Sequence, residues 1–322
     1  MNNVAPVLGS ASTTATIADL AVVGELVTAT VSYSDVGTLD THAVLINWGD
    51  GSTSSGTAGG GTASGGHAYA AAGIYTVTMT VTDDDTGTSV ATTTAYVSGI
   101  SVVGGRLQII GTNDDDHVSV NLAKNGSSQV IRVHASFIPG NPGFIDIPAA
   151  GVTSIYMPLF GGDDHASFAG DMNIPTVIDG GSGSDHLNAG GGGAVLLGGI
   201  GNDFLLGGKA NDILIGGTGA DNLNGGAGED ILIGGTTSYD SSLDALFTLL
   251  AEWTSTRTQP VRVTNLRTGA GPVLGGLKLV KSVTVFDDGA RDSLTGAADL
   301  DWYFYLVGED ELNGIGGSEY RN

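Results

Sequence analysis

The chain has 322 residues, of which 54 are glycine, 8 are proline and none is cysteine, so disulfides, thiolate catalysis and cysteine-bound metal centres are excluded. Its 34 acidic and 11 basic residues give a net charge of −23, which disfavours binding to nucleic acid or anionic lipid and attracts multivalent cations. The 41% of hydrophobic residues can form a buried core, and no apolar run is long enough for membrane insertion.

The first 98 residues contain short runs of alternating apolar and polar residues, rich in valine, isoleucine and threonine, with turns between them. Such runs are typical of half-buried strands, and several of them at this spacing indicate an antiparallel β-sandwich. The predicted strands are 26–33, 42–48, 74–82 and 89–97.

Four motifs in this region resemble the PKD domain, and they lie at 47–52, 67–69, 73–78 and 81–83. The resemblance covers almost all of residues 4–98 and implies an immunoglobulin-like sandwich of the kind found in extracellular proteins. We expect Trp48 in its core. Some PKD domains bind calcium near an acidic loop, but a solvated turn is the favoured interpretation of the acidic residues here, which are Asp35, Asp40, Asp83, Asp84 and Asp85.

Residues 99–179 carry two similar segments, 111–120 and 161–168, each a Gly/Asp turn followed by a short β-like run. They resemble irregular, widely spaced relatives of the repeat that follows. We therefore predict irregular coils of a parallel β-helix over 99–179.

From residue 180 the chain adopts a nine-residue period, with leucine at the eighth position of all six repeats and aspartate at the sixth position of five. A flexible glycine-rich linker would not carry a leucine every nine residues. The repeats resemble the G-G-x-G-x-D-x-U-x pattern of RTX (hemolysin-type) calcium-binding proteins, which implies a right-handed parallel β-roll. They read GGSGSDHLN, AGGGGAVLL, GGIGNDFLL, GGKANDILI, GGTGADNLN and GGAGEDILI.

Each nonapeptide predicts a six-residue glycine turn and a three-residue strand whose central leucine points inward. Two nonapeptides complete a coil, so repeats n and n+2 lie above one another. The turns 180–185, 198–203 and 216–221 then form one edge of the roll, here called the first edge. The turns 189–194, 207–212 and 225–230 form the second edge.

Along each edge, aspartate carboxylates and inward carbonyls repeat about every 5 Å, and calcium accepts six to eight such oxygens whereas magnesium keeps its waters. We predict three to five calcium ions. Asp203 would serve two ions and Asp230, as the last carboxylate of its edge, only one, so loss of Asp203 should be the more harmful. The predicted ligand positions are Gly181, Gly183, Asp185, Gly199, Gly201, Asp203, Gly208, Ala210, Asp212, Gly217, Gly219, Asp221, Gly226, Gly228 and Asp230.

Two positions depart from the pattern: Ala194 replaces an aspartate, and Ala210 replaces a glycine but keeps its carbonyl. Turns outside the array, at Asp164 and at Asp240, are expected to complete further half-sites.

The tail contains one strongly amphipathic segment, 241–253, with Leu243, Leu246, Phe247, Leu250 and Trp253 on one face. We expect it to cap the open end of the solenoid, and a helix that docks a partner is the less favoured alternative. Gly/Asp turns at 287–295 and 308–314 indicate that the stack resumes after an insertion. The segment 237–322 resembles C-terminal regions that follow RTX repeats in large planctomycete surface or secreted proteins.

The sequence carries no HExxH, GxSxG, GxxxxGK[ST] or strand-linked GxGxxG motif, so it predicts no catalytic site and no enzyme. His117, His165 and His186 each follow a Gly/Asp turn, which indicates a stacked row. We expect a structural ladder there rather than a transition-metal site.

Together these features predict an all-β chain: a PKD-like sandwich over 1–98, irregular β-helix coils over 99–179, a calcium-binding roll over 180–235 and a helix-containing C-terminal cap over 236–322. The predicted function is an extracellular or cell-surface structural or adhesion module that folds on binding calcium. Its expected partners are calcium and other surface proteins or a second copy, without nucleic acid or membrane insertion. The alternative is a non-catalytic accessory fragment of a secreted hydrolase, which a catalytic domain upstream of Met1 would favour.

Overall fold

The computed structural model describes residues 4–36, 40–138, 143–314 and 319–321. The chain forms two compact units, Met1–Ser101 and Val102–Asn322. Most of it is β-structure, and neither of the two helices among the described residues is long and apolar enough to cross a membrane.

Nine strands occupy the first part of the chain. They are β1 (Val7–Thr13), β2 (Ala21–Val22), β3 (Leu26–Ser34), β4 (His42–Asn47), β5 (Thr53–Ser55), β6 (Thr57–Gly59), β7 (Thr62–Ala68), β8 (Gly73–Asp83) and β9 (Thr88–Val103).

The first unit is an antiparallel sandwich. One sheet has the strand order β1-β3-β7-β6, and the other places β5, β4, β8 and β9 side by side, with β2 parallel to β9. The alternating pattern of β3 and β8 buries one face of each strand in a common core. Trp48 is fully buried there and the Tyr69 hydroxyl donates to its carbonyl at 3.0 Å, so the predicted core position is confirmed.

The second unit contains the remaining strands and both helices. They are β10 (Arg106–Ile110), β11 (His117–Asn125), β12 (Ser128–Ala135), β13 (Phe144–Pro148), β14 (Ser154–Pro158), β15 (His165–Phe168), β16 (Thr176–Ser182), β17 (His186–Asn188), β18 (Ala194–Ile200), β19 (Phe204–Gly208), β20 (Ile213–Thr218), β21 (Asn222–Gly226), β22 (Ile231–Ile233), β23 (Thr236–Thr237), α1 (Leu243–Trp253), α2 (Gln259–Thr268), β24 (Val285–Phe286), β25 (Ser293–Ala297), β26 (Trp302–Phe304), β27 (Glu311–Asn313) and β28 (Tyr320–Arg321).

Two parallel sheets run along the second unit. The front sheet has the order β10-β14-β16-β18-β20-β22-β26-β28, and the back sheet has β11-β15-β17-β19-β21-β25-β27, extended beside β11 by the antiparallel strands β12 and β13. Leu196 pairs with Leu214, and Leu187 with Leu205, so each coil repeats after 18 residues, as the nine-residue period predicts. These leucines are fully buried between the sheets.

The stack of coils continues past an insertion. Asn222 of β21 pairs with Ser293 of β25, and Ile231 of β22 pairs with Trp302 of β26. The amide of Asp221 donates to the carboxylate of Asp292, 71 residues away, whereas the equivalent partners within the array are 18 residues apart. The segment that contains β23, α1, α2 and β24 is therefore inserted within a coil, and the coils resume after it.

The helices lie on the side of the roll. The outward residues of the front sheet, which include Val195, Leu197 and Ile213, share one buried cluster with Leu246 and Trp253 of α1. The helix that the sequence places at the solenoid end thus packs on its flank, where apolar residues alternate outward. The structure also adds α2, whose polar sequence carries little helical periodicity.

Replacement of Trp253 by alanine is expected to destabilise the second unit. Trp253 is fully buried, lies 6.3 Å from Trp302 between ring centroids and carries the Arg262 guanidinium 4.6 Å from its own centroid. A buried Trp→Ala change costs about 3–5 kcal/mol. Denaturant unfolding in saturating calcium measures this loss. Asp244→Ala on the same helix, where the side chain is 96% exposed, is the control and should change stability by less than about 0.5 kcal/mol. Equal losses would contradict the flank packing.

Candidate metal centre

The turns of the first edge stack directly on one another. Gly201 and Gly219, at the fourth position of their repeats, have φ of +141° and +125°. A Cβ atom at Gly201 would lie 1.7 Å from the carbonyl oxygen of Gly183, and one at Gly219 would lie 1.7 Å from that of Gly201. Each turn glycine therefore touches the equivalent glycine of the previous coil, which confirms the predicted stacking of repeats n and n+2.

The aspartates of the first edge form a hydrogen-bonded ladder. The Asp185 amide donates to Asp203 Oδ1 at 2.8 Å, and the Asp203 amide donates to Asp221 Oδ1 at 2.8 Å. All three residues are 2% exposed. One carboxylate oxygen of each aspartate is thus used to hold the backbone of the coil beneath it.

The second carboxylate oxygen of these aspartates is buried and has no hydrogen-bond partner among the described residues. Asp203 Oδ2 faces its own turn, 2.4 Å from the position that a Cβ at Gly198 would take. A buried anionic oxygen without a donor is costly, because nothing replaces its hydration. The residues that share this feature are Asp164, Asp185, Asp203, Asp212, Asp221, Asp230 and Asp292.

Burial strongly perturbs the acidity of this row. It raises the pKa of Asp203 to about 6, that of Asp185 to about 7 and that of Asp221 to about 8, with neighbouring carboxylates adding to the rise for the last two. On the second edge, burial raises the pKa of Asp230 to about 8 and that of Asp212 well above its usual value. In the protein alone, the ionised row is therefore unfavourable.

These donors fit calcium. Every turn of the repeats except the one that ends at Ala194 offers an unused carboxylate oxygen beside backbone carbonyls, and these ligands include neither sulfur nor imidazole. Calcium takes six to eight oxygen ligands and tolerates irregular geometry. The predicted glycine and aspartate positions lie in the stacked turns of the two edges, and their role as calcium ligands stays a prediction. Bound there, a divalent cation would supply the positive charge that the buried carboxylates lack.

The second edge is less regular than the first. The Ala194 amide donates a hydrogen bond to Asp212 Oδ1 at 2.7 Å. The turn that lacks the aspartate therefore still contributes a backbone donor to the ladder. Gly208 and Gly226 have the positive φ of their first-edge equivalents, whereas Ala210 does not. Its carbonyl oxygen nevertheless lies 2.3 Å from the position of a Cβ at Gly228, inside the stack.

The ladder extends beyond the repeats on the first edge. Asp116 and Asp164 precede Asp185, and Asp292 and Asp310 follow Asp221, each joined by an amide-to-carboxylate hydrogen bond of 2.7–3.0 Å. The expected half-site at Asp164 is thus in line with the array. Asp240 is not, because its carboxylate accepts from the amide and hydroxyl of Thr237.

On the second edge, the prediction that Asp230 is the last carboxylate is wrong. The Asp230 amide donates to Asp301 Oδ1 at 2.8 Å, so Asp230 lies between Asp212 and Asp301. The segment 296–304 keeps aspartate at the sixth position, but Ala297 and Asp299 replace two turn glycines and still have φ of +74° and +70°. The missing glycines hide this repeat in the sequence. The aspartate at its sixth position, Asp301, is the signal that identifies it.

Asp230→Ala is expected to raise the calcium midpoint of folding more than Asp212→Ala. Both residues are fully buried and both accept one backbone amide. Asp230 has a carboxylate on each side, whereas Asp212 has Ala194 on one side. Each weakened site should cost about 1–3 kcal/mol. Circular dichroism during calcium titration gives the midpoints, and Asp203→Ala should match Asp230→Ala. A larger shift for Asp212→Ala would contradict the pairing.

In the first unit, three acidic residues approach one another. Ligand oxygens of Asp35, Asp40 and Asp83 lie within 4.8 Å. Asp35 Oδ2 lies 2.9 Å from His42 Nε2, and Asp83 Oδ1 accepts from the Gly87 amide at 2.7 Å. The sequence favours a solvated turn here, yet Asp83 is only 4% exposed. Two of its three carboxylates, those of Asp35 and Asp83, therefore have protein partners.

Comparison with known families matches both regions of the chain. Residues 3–99 match the PKD domain, and residues 177–205 and 206–236 match the RTX calcium-binding nonapeptide repeat. No curated protein matches the chain. Among solved structures, the crystal structure of the PKD1 domain of Vibrio anguillarum Epp is 28% identical, and the alignment covers 30% of this chain and 96% of that one, with a TM-score of 0.23.

Proposed function

We propose that this chain, which carries a PKD domain and RTX calcium-binding repeats, is an extracellular structural or adhesion module whose β-roll folds on binding calcium. The observation that carries the proposal is the row of buried Oδ2 atoms without hydrogen-bond donors among the described residues. The ligands are the turn carbonyls and the carboxylates of Asp185, Asp203, Asp221, Asp212 and Asp230.

The coupling between binding and folding follows from the energetics of this row. In the unfolded chain the carboxylates are hydrated, whereas in the roll they are buried and stacked, with raised pKa values for Asp203 and Asp221. Folding without a cation therefore requires either protonation or an uncompensated charge. Because the ligands come together only in the folded roll, the binding free energy of calcium becomes folding free energy.

We assign three to five ions to the roll, one for each pair of neighbouring carboxylates and for the better-formed flanking turns. Sites in extracellular modules have dissociation constants on the order of 10⁻⁴–10⁻³ M. Sites of that strength would fill outside the cell and stay empty inside it, so the roll would fold after export. Families of both regions are typical of extracellular proteins and of non-catalytic modules.

The number and selectivity of the sites test the proposal. Isothermal titration of the whole chain with calcium should give three to five ions per chain, and magnesium at the same concentrations should give little heat. Asp203→Asn is the matched variant, because its amide oxygen can still accept the Asp185 amide while the charge is lost. It should bind fewer ions or bind them more weakly. Unchanged titration of Asp203→Asn would contradict the assignment.

The adhesion role is tested by self-association. Sedimentation of the whole chain in calcium and in chelator compares binding between copies in the folded and unfolded states of the roll. Calcium-dependent association would support an adhesive surface formed by the roll. A monomer under both conditions would leave other surface proteins as the partners of this module.

A further inference from the structure

A row of histidines lies on the outer face of the back sheet. His117, His165 and His186 occupy equivalent positions in three consecutive coils and are paired in register. The next residue in the row is Phe204, whose ring lies edge-on to His186 with centroids 4.6 Å apart. Each histidine directly follows a buried aspartate of the first-edge ladder but is itself exposed, and the calcium-binding function does not use the imidazoles.

The three imidazole rings are accessible to a ligand from solvent. All three histidines are exposed, and none of their rings makes a hydrogen bond or an ion pair with any residue that the structure describes. Buried aliphatic residues alternate with them along the strands, so the backbone that presents the rings is rigid. The rings contact one another and Phe204, but none of their nitrogen atoms is taken up by a hydrogen bond to a described residue.

The spacing of the rings suits a shared metal ion. The ring centroids of His165 and His186 are 4.8 Å apart with an angle of 84° between the planes, and those of His117 and His165 are 6.0 Å apart. With a zinc–nitrogen distance of about 2.0–2.1 Å and tetrahedral angles, two imidazoles on one ion hold their centroids roughly 5 Å apart. Parallel strands in register impose nearly this spacing without any change of backbone.

We propose that His165 and His186 bind one divalent transition metal ion of the zinc and copper class on the outer face of the roll, with His117 as the neighbouring imidazole of the row. Imidazole nitrogen is a preferred ligand for zinc, copper and nickel, whereas calcium requires oxygen. The site therefore differs in chemistry from the two carboxylate edges and does not compete with them for the same ion. Phe204 closes one end of the row to further ligands.

Imidazole is mostly neutral at pH 7, and the neutral ring is the form that binds a metal ion. Binding requires only that the coils be folded, so it is tested in saturating calcium and does not depend on how the roll functions.

Titration of the whole chain with zinc chloride, followed by calorimetry in saturating calcium, tests the site. We expect one zinc ion per chain. Once one imidazole has bound the ion, the second is already held beside it at a high effective concentration. Replacement of either His165 or His186 by alanine should therefore weaken zinc binding on the order of 10²-fold. His117→Ala should weaken it less. Because the three histidines are exposed, their replacement should leave the calcium midpoint of folding unchanged. An unchanged midpoint shows that each variant is folded.

His134→Ala is the matched control, because His134 is an exposed histidine of the same sheet, opposite Ser119, with its ring 5.2 Å from that of Phe144. It should bind zinc like the unaltered chain. In nitrogen-15 spectra, zinc should shift the imidazole signals of His165 and His186 and not that of His134. Absence of zinc binding, or equal affinity of His165→Ala and the unaltered chain, would overturn the proposal. An equal loss in His134→Ala would show non-specific surface binding and would also overturn it.

Discussion

Removal of calcium is expected to unfold the second unit, Val102–Asn322, while the first unit, Met1–Ser101, stays folded. At a free calcium concentration of 100 times the dissociation constant, each site contributes about 2.7 kcal/mol to stability. Three such sites together supply an amount comparable to the whole stability of a typical domain, about 5–15 kcal/mol. The first unit has its own apolar core around Trp48 and Met79 and no comparable carboxylate row among its described residues.

Differential scanning calorimetry in millimolar calcium and in chelator measures this effect. We expect two transitions in calcium and one in chelator, and the surviving transition should keep its midpoint. Magnesium in place of calcium should resemble chelator, because magnesium demands near-ideal octahedral geometry. A transition of the second unit with the same midpoint in both buffers would show that the carboxylate rows do not require calcium.

Gly201→Ala is expected to prevent stable folding of the roll even in saturating calcium. At φ of +141°, an L-residue is strained, and the new Cβ would lie 1.7 Å from the Gly183 carbonyl oxygen. That oxygen belongs to backbone fixed by coils on both sides, so it cannot move away cheaply. The combined cost should exceed about 4 kcal/mol, a range reached by few single substitutions.

Gly308→Ala is the control for this substitution. Gly308 has φ of +98°, yet a Cβ there would meet nothing within 4 Å. Its loss should reflect backbone strain alone, about 1–2 kcal/mol. Denaturant unfolding in calcium, followed by circular dichroism, compares the two variants. Equal destabilisation of the two variants would show that the close stacking of the first edge does not restrict the size of the side chain at position 201.

The nine-residue period determined most of the roll in advance. Because leucine recurs every nine residues and each coil needs two strands, stacking after 18 residues was the arrangement that buries every leucine, and Leu187 and Leu205 do pair in register. The same period places the glycines and aspartates of the turns on two edges. The sequence does not predict that Oδ1 accepts the amide of the neighbouring coil, since this contact depends on the side-chain rotamer.

The flank of the roll was harder to predict. Outward positions of the front sheet are apolar, as at Val195 and Ile213, whereas those of the back sheet are mostly polar, as at His186 and Asn222. This contrast between alternate repeats indicates that another part of the chain covers the outer face of the front sheet. The second helix left no such signal, because its buried Arg262 pairs with Glu229 and the Trp253 carbonyl, contacts between segments far apart in the chain.

Amide hydrogen exchange of the aspartate ladder tests the coupling of calcium to folding most directly. The amides of Asp185, Asp203 and Asp212 donate to carboxylates of the next coil, so their exchange reports whether the two edges are assembled. We expect strong protection of these amides in calcium and fast exchange in chelator, with the Met79 amide of the sandwich protected in both. Equal protection of the ladder amides with and without calcium would contradict it.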